Sequence, residues 1–157
     1  MRIVEMTLEF AAEMSTWRYP APYQCYDLTG TDPARFTDPA NGFHALVDDA
    51  GVCIGFRSFG PDGQVPGGSY DASALDTGGG LRPDLTGLAR GLGREAIATG
   101  LAFGRARFRP AAFRVTVAAF NTRARYVVES LGFEYQSTFS ATTNGTEYDV
   151  LALRCMY

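Results

Sequence analysis

The stretch Leu81-Arg82-Pro83-Asp84-Leu85-Thr86-Gly87-Leu88-Ala89-Arg90-Gly91-Leu92-Gly93-Arg94 decides the fold. Before it, Ala72 to Leu81 has the character of a strand, weakened by Gly78-Gly79-Gly80, where another backbone can approach closely. After it, a helix is expected from about Gly91 to Arg105. A strand therefore runs into a glycine-rich turn that opens a helix. The first turn of a helix leaves N–H groups unpaired, and the macrodipole adds partial positive charge there. Glycines at 87, 91 and 93 remove side chains that would block phosphate oxygens, and Arg90 and Arg94 add charge. The competing reading is an ordinary glycine-rich turn with solvated arginines. A P-loop is excluded because the chain has no lysine. A dinucleotide GxGxxG is absent, since no glycine follows Gly93 at the required spacing.

Downstream, Asn121-Thr122-Arg123-Ala124-Arg125-Tyr126-Val127-Val128-Glu129-Ser130-Leu131-Gly132-Phe133 reads as a short helix capped by Asn121 and stopped at Gly132. Upstream, Arg2 to Met6 is a short strand, and Thr7 caps a helix running to Ser15. Thr29 to Gly42 is a loop or short helix. Phe43 to Val47 and Val52 to Phe59 form a hairpin around Asp48-Asp49-Ala50-Gly51, followed by a mobile loop from Gly60 to Gly68. Phe113 to Ala118, Phe133 to Thr142 and Glu147 to Arg154 are the remaining strands. The pattern predicts a single α/β domain over 1–157, with a mixed, largely antiparallel sheet flanked by helices on both faces.

Composition narrows the function. The chain has 157 residues, 46% hydrophobic and 20% charged, as expected of one globular domain. A net charge of −3 argues against nucleic-acid binding. Glu5, Glu9 and Glu13 interrupt the N-terminus as a secretory signal, and no run is long and apolar enough for a membrane, so a cytoplasmic location is expected. Three cysteines and one histidine lack metal-ligand spacing, so no metal is expected. All 14 basic residues are arginine, a chain-wide bias that gives no single Arg a meaning by its type alone.

The two glycine-bearing segments together resemble the GNAT superfamily of N-acetyltransferases. The family's pyrophosphate loop has the pattern Q/R-x-x-G-x-G/A, matched here at Gly91 and Gly93. Its second pattern, N-x-x-A-x-x-x-Y-E-x-x-G-F, is matched at Asn121, Ala124, Glu129, Gly132 and Phe133. The expected element order is also that of the family, so the resemblance covers nearly the whole chain. There are two departures: Leu88 stands at the Q/R position in a longer loop, and Val128 replaces the tyrosine that often protonates the departing thiolate. An aliphatic residue there resembles the branch containing ribosomal-protein N-terminal alanine acetyltransferases.

The resemblance implies transfer of an acetyl group from acetyl-CoA to a primary amine, on a small molecule or a protein N-terminus, with a homodimer as candidate assembly. Leu81, Leu88, Arg90, Gly91, Leu92, Gly93, Arg94 and Asn121 are then the candidate cofactor-binding residues. Trp17, Tyr19, Tyr23 and Tyr26, crowded into a Pro-rich stretch, are the candidate acceptor-side residues, although core packing accounts for Trp17 equally well. Asp76 is the first candidate general base, followed by Asp27 and His44; a solvated edge carboxylate competes with that role for Asp76. Backbone N–H groups near Thr77 to Gly79 are candidates for holding the oxyanion. Two other readings stay open: a non-catalytic acyl-CoA-binding or regulatory module, and a scaffold that binds no nucleotide.

Overall fold

The computed structural model describes all 157 residues. Its framework is one seven-stranded sheet in the order β1-β2-β3-β4-β5-β7-β6. The strands are β1 (Arg2–Glu5), β2 (Phe43–Val47), β3 (Cys53–Phe59), β4 (Leu75–Leu81), β5 (Ala112–Ala118), β6 (Glu134–Ser140) and β7 (Glu147–Arg154). All neighbouring pairs are antiparallel except β4 and β5. Four helices complete the fold: α1 (Leu8–Met14), α2 (Pro33–Thr37), α3 (Leu92–Phe108) and α4 (Thr122–Ser130). The expected mixed α/β architecture is the one observed.

Local chemistry sets the element ends. Thr7 Oγ1 accepts the Phe10 amide at the start of α1, and Asp32 accepts that of Ala34 ahead of Pro33 in α2. In the β2–β3 turn, Asp48 Oδ1 accepts the amides of Ala50 and Val52 while Gly51 takes a left-handed φ of 82°. Helix α3 runs beyond the expected Arg105 to Phe108. Arg105 and Arg107 suit its negative end, and Arg109 leaves it at φ 46° before Pro110. The stretch Gly60 to Gly68, expected to be mobile, is held against β4: Pro61–Gly63 forms a 3₁₀ turn, and Gln64 Nε2 donates to Asp76.

Each face of the sheet carries its own core. Ala11, Met14, Trp17 and Phe36 pack with Ala45 and Cys53 beneath α1 and α2. On the other face, Leu101 and Val128 pack with Phe113, Val115, Val117 and Leu151 beneath α3 and α4. Gly104 lets α3 lie close to the sheet, because a Cβ there would stand 2.8 Å from the Phe113 ring.

Candidate active site

A wedge opens in the middle of the sheet. Strands β4 and β5 pair only at Leu75–Phe113 and Asp76–Arg114, and from Thr77 and Val115 onward they have no mutual register. Beyond Asp76, β4 has a strand partner on its β3 side alone, so alternate amides of Thr77 to Leu81 face the gap. The gap widens into a cleft of about 630 Å³ that runs from the β4 glycines to the start of α3.

The glycine-rich loop forms the rim at the α3 end. Gly87, Ala89 and Gly91 all take left-handed φ, at 71°, 54° and 72°, which curls the chain into the helix. Gly91 supplies no side-chain cap, so the amides of the first helical turn stay free toward the cleft. No atom lies within 4 Å of where a Cβ would stand on Gly91 or Gly93. That open space, the free amides and the flanking Arg90 and Arg94 suit a pyrophosphate group, as in coenzyme A.

The sequence-expected cofactor residues are brought together: Leu81, Leu88, Arg90, Gly91, Leu92, Gly93, Arg94 and Asn121 all line this cleft. Asn121 caps α4 by accepting the Ala124 amide. Val128 is buried at 2% exposure on the cleft side of that helix, whereas Tyr126 is 75% exposed and points away.

Four residues were expected on the acceptor side, Trp17, Tyr19, Tyr23 and Tyr26. Tyr19, Tyr23 and Tyr26 line the cleft, but Trp17 does not; it is 5% exposed in the α1–α2 core. Tyr19 donates its hydroxyl to the Leu81 carbonyl at 2.6 Å, and burial beside Asp27 raises its pKa above the usual range. Tyr26 Oη accepts from Asn121 Nδ2 at 3.0 Å and from the Ala118 amide at 3.3 Å, leaving its own hydrogen free to donate. Burial raises its pKa, with the Asn121 bond opposing. Arg123 stacks over Tyr23 at 4.4 Å and fills the space against Gly87, linking α4 to both loops.

Asp76 is where the structure departs most from the sequence reading. Arg114 grips both its oxygens, Nε to Oδ1 at 2.7 Å and Nη2 to Oδ2 at 2.9 Å, and Gln64 Nε2 donates to Oδ2 as well. It is 4% exposed and outside the cleft lining. Both its oxygens are taken up by this buried bidentate pair, which holds the closed end of the wedge together. His44 also lies elsewhere, packed at a tilt against Phe103 and edge-on to Phe59.

The carboxylates that do line the cleft are Asp27 and Asp62. Asp27 Oδ1 accepts the Tyr19 amide at 2.7 Å. Asp62 Oδ1 accepts from Arg35 at 2.6 Å, while its Oδ2 is buried with no partner. Nothing in the local sequence marks Asp62, which lies in a Pro-Asp-Gly turn typical of any loop.

No protein-family model matches the chain, and no curated protein matches it in sequence. Solved structures match its shape. A GNAT-family acetyltransferase from Bacillus anthracis superposes with a TM-score of 0.73 at 13% identity, over 97% of this chain and 93% of that one. A chimera of spermidine N-acetyltransferase SpeG from Vibrio cholerae and hSSAT gives 0.72 at 14% identity, over 98% and 96%. Aminoglycoside acetyltransferase AAC(6')-Ib, in complex with ribostamycin and coenzyme A, gives 0.72 at 16% identity, over 98% and 92%. The chain has the GNAT acetyltransferase fold.

Proposed function

We propose that this protein is an N-acyltransferase that moves an acyl group, in the simplest case acetyl, from a coenzyme A thioester to a primary amine of a small molecule or a protein N-terminus. The observation that carries this reading is the wedge between β4 and β5, leading without obstruction to the uncapped, glycine-lined start of α3. The fold neighbours support it, since several were solved with coenzyme A or acetyl-CoA bound.

In this reading the free α3 amides with Arg90 and Arg94 hold the pyrophosphate. Cleft-facing amides of β4 pair with the pantetheine arm and polarise the thioester carbonyl. An alkyl ammonium has a pKa of about 10 and must lose a proton before it attacks. Asp27 and Asp62 draw the cation to the acceptor side and take that proton, directly or through water. The amine nitrogen then bonds to the carbonyl carbon, the C–S bond breaks, and the thiolate takes a proton from water or from Tyr26.

Val128 favours a second reading, a non-catalytic acyl-CoA-binding module, because an apolar side chain stands on the cleft side of α4 where related sequences often carry a tyrosine. Two measurements decide. A rise in melting temperature with coenzyme A supports the cleft as its site, and no rise at millimolar ligand would refute it. Thiol release from acetyl-CoA with a panel of amines and N-terminal peptides then separates enzyme from binding module.

A further inference from the structure

Strand β3 carries an arginine into the interior. Arg57 is 5% exposed and runs between Gly79 of β4 and Gly100 of α3. A Cβ on Gly79 would stand 2.7 Å from its Nη1, and one on Gly100 2.8 Å from its Nε, so two glycines make room for the guanidinium. Its one hydrogen bond runs from Nη2 to Thr77 Oγ1 at 3.1 Å. It makes no ion pair, and its Nε is buried with no acceptor. Arg114, comparably buried, has the carboxylates of Asp76 and Asp71. Burial lowers the Arg57 pKa to about 10, which leaves it a cation at neutral pH.

A buried, uncompensated cation is costly to a fold, and an anionic partner offsets that cost. The partner has to come through the cleft, because Arg57 and Thr77 both line it. The side of the sheet matters here. Arg57 and Thr77 lie on the α3 face with Val115, Val117 and Val128, whereas Tyr19 packs near Phe56 and Gly80 on the opposite face, where the amine is proposed to enter. An anion on the acyl chain therefore reaches Arg57 more directly than one on the amine.

We infer that Arg57, with Thr77, receives a carboxylate at the far end of the acyl chain, so that the preferred donor is a dicarboxylic acyl-CoA of the malonyl or succinyl class rather than acetyl-CoA. This rests on the cleft being the coenzyme A site. The transfer is otherwise unchanged: the amine nitrogen bonds to the thioester carbonyl, the C–S bond breaks, and coenzyme A leaves as its thiol. The product amide keeps the free carboxylate.

Calorimetric dissociation constants for coenzyme A and for its acetyl, propionyl, butyryl, malonyl and succinyl thioesters, on the wild type and on Arg57→Met, test this. Malonyl-CoA or succinyl-CoA is expected to bind the wild type about tenfold or more tighter than the uncharged thioester of the same chain length. Arg57→Met is expected to erase that preference while affinity for free coenzyme A stays within about twofold. Equal affinity for charged and uncharged chains, or a preference that survives Arg57→Met, overturns the inference and leaves the cleft assignment standing. Failure of coenzyme A and every thioester to bind overturns both. If Arg57→Met does not fold, the wild-type comparison still decides, and Thr77→Val is expected to weaken the preference in part. A selective rise in KM for carboxylate-bearing amines in Thr77→Val, with thioester affinities unmoved, would assign the arginine to the acceptor instead.

Discussion

A side chain added at Gly93 meets open cleft rather than protein. Position 93 lies in the first turn of α3 with ordinary helical backbone, so Gly93→Val is expected to change the stability of the unliganded protein by less than about 0.5 kcal/mol. The same change puts an isopropyl group in the proposed phosphate path and is expected to raise the coenzyme A dissociation constant more than about tenfold. Melting curves and calorimetry read the two effects separately; unchanged affinity would reduce the loop to a turn. Tyr126 gives the contrasting case. At 75% exposure and away from the cleft, it is expected to tolerate Tyr126→Phe with most of kcat retained. A hundredfold fall with acyl-CoA affinity retained would mean that its hydroxyl reaches the thiol after all.

At the scale of elements, the junction of β4 and β5 depends on Asp76 and Arg114. Asp76→Asn leaves a buried guanidinium with only the exposed Asp71 as anionic partner, and is expected to cost about 3 kcal/mol, or roughly 6–12 °C in melting temperature. Below its melting temperature the variant is expected to keep its kcat, whereas a base would lose it at every temperature. On β2, burial lowers the pKa of His44, the only histidine. A depressed folded pKa means that the unfolded chain binds the proton more readily. The associated stability is present above the unfolded value of about 6.5 and is lost as pH falls through the folded one. Melting temperatures between pH 7.5 and 5 are expected to fall less steeply in His44→Phe than in the wild type.

For the whole molecule, the wedge is the weak place in an otherwise continuous sheet. A ligand that fills it bridges two halves joined by the short β4–β5 register, by α3 and α4 on one face, and by the contacts of Tyr23 and Tyr26 with Arg123, Ala118 and Asn121. Binding to the native state alone stabilises it in proportion to the logarithm of ligand concentration over Kd. Coenzyme A at about 100 times Kd is therefore expected to add about 2.7 kcal/mol, or roughly 5–11 °C. A concentration series followed by thermal melting checks both size and slope. A melting temperature flat from micromolar to millimolar ligand would mean that the wedge binds something else.

What the sequence determined by itself lies where the controlling atoms are close along the chain. Thr7, Asp48, Asn121 and the glycines at 87, 91 and 132 act on residues a few positions away, so their caps and turns and most strand limits were legible to within a few residues. The spacing from Gly91 to Asn121 was equally legible, and with it the resemblance to an acetyltransferase. The tertiary structure alone decided which side chains share the cleft. Asp76 meets Arg114 from 38 positions away, Tyr26 meets Asn121 from 95, and Arg57 meets Thr77 from 20. No local pattern distinguishes a carboxylate that an arginine will grip at both oxygens, as Asp76 is, from one gripped at a single oxygen, as Asp62 is, nor an arginine on the surface from one drawn in between two glycines beside a cleft. Partner and desolvation set those properties, and both come from strands and helices distant in sequence.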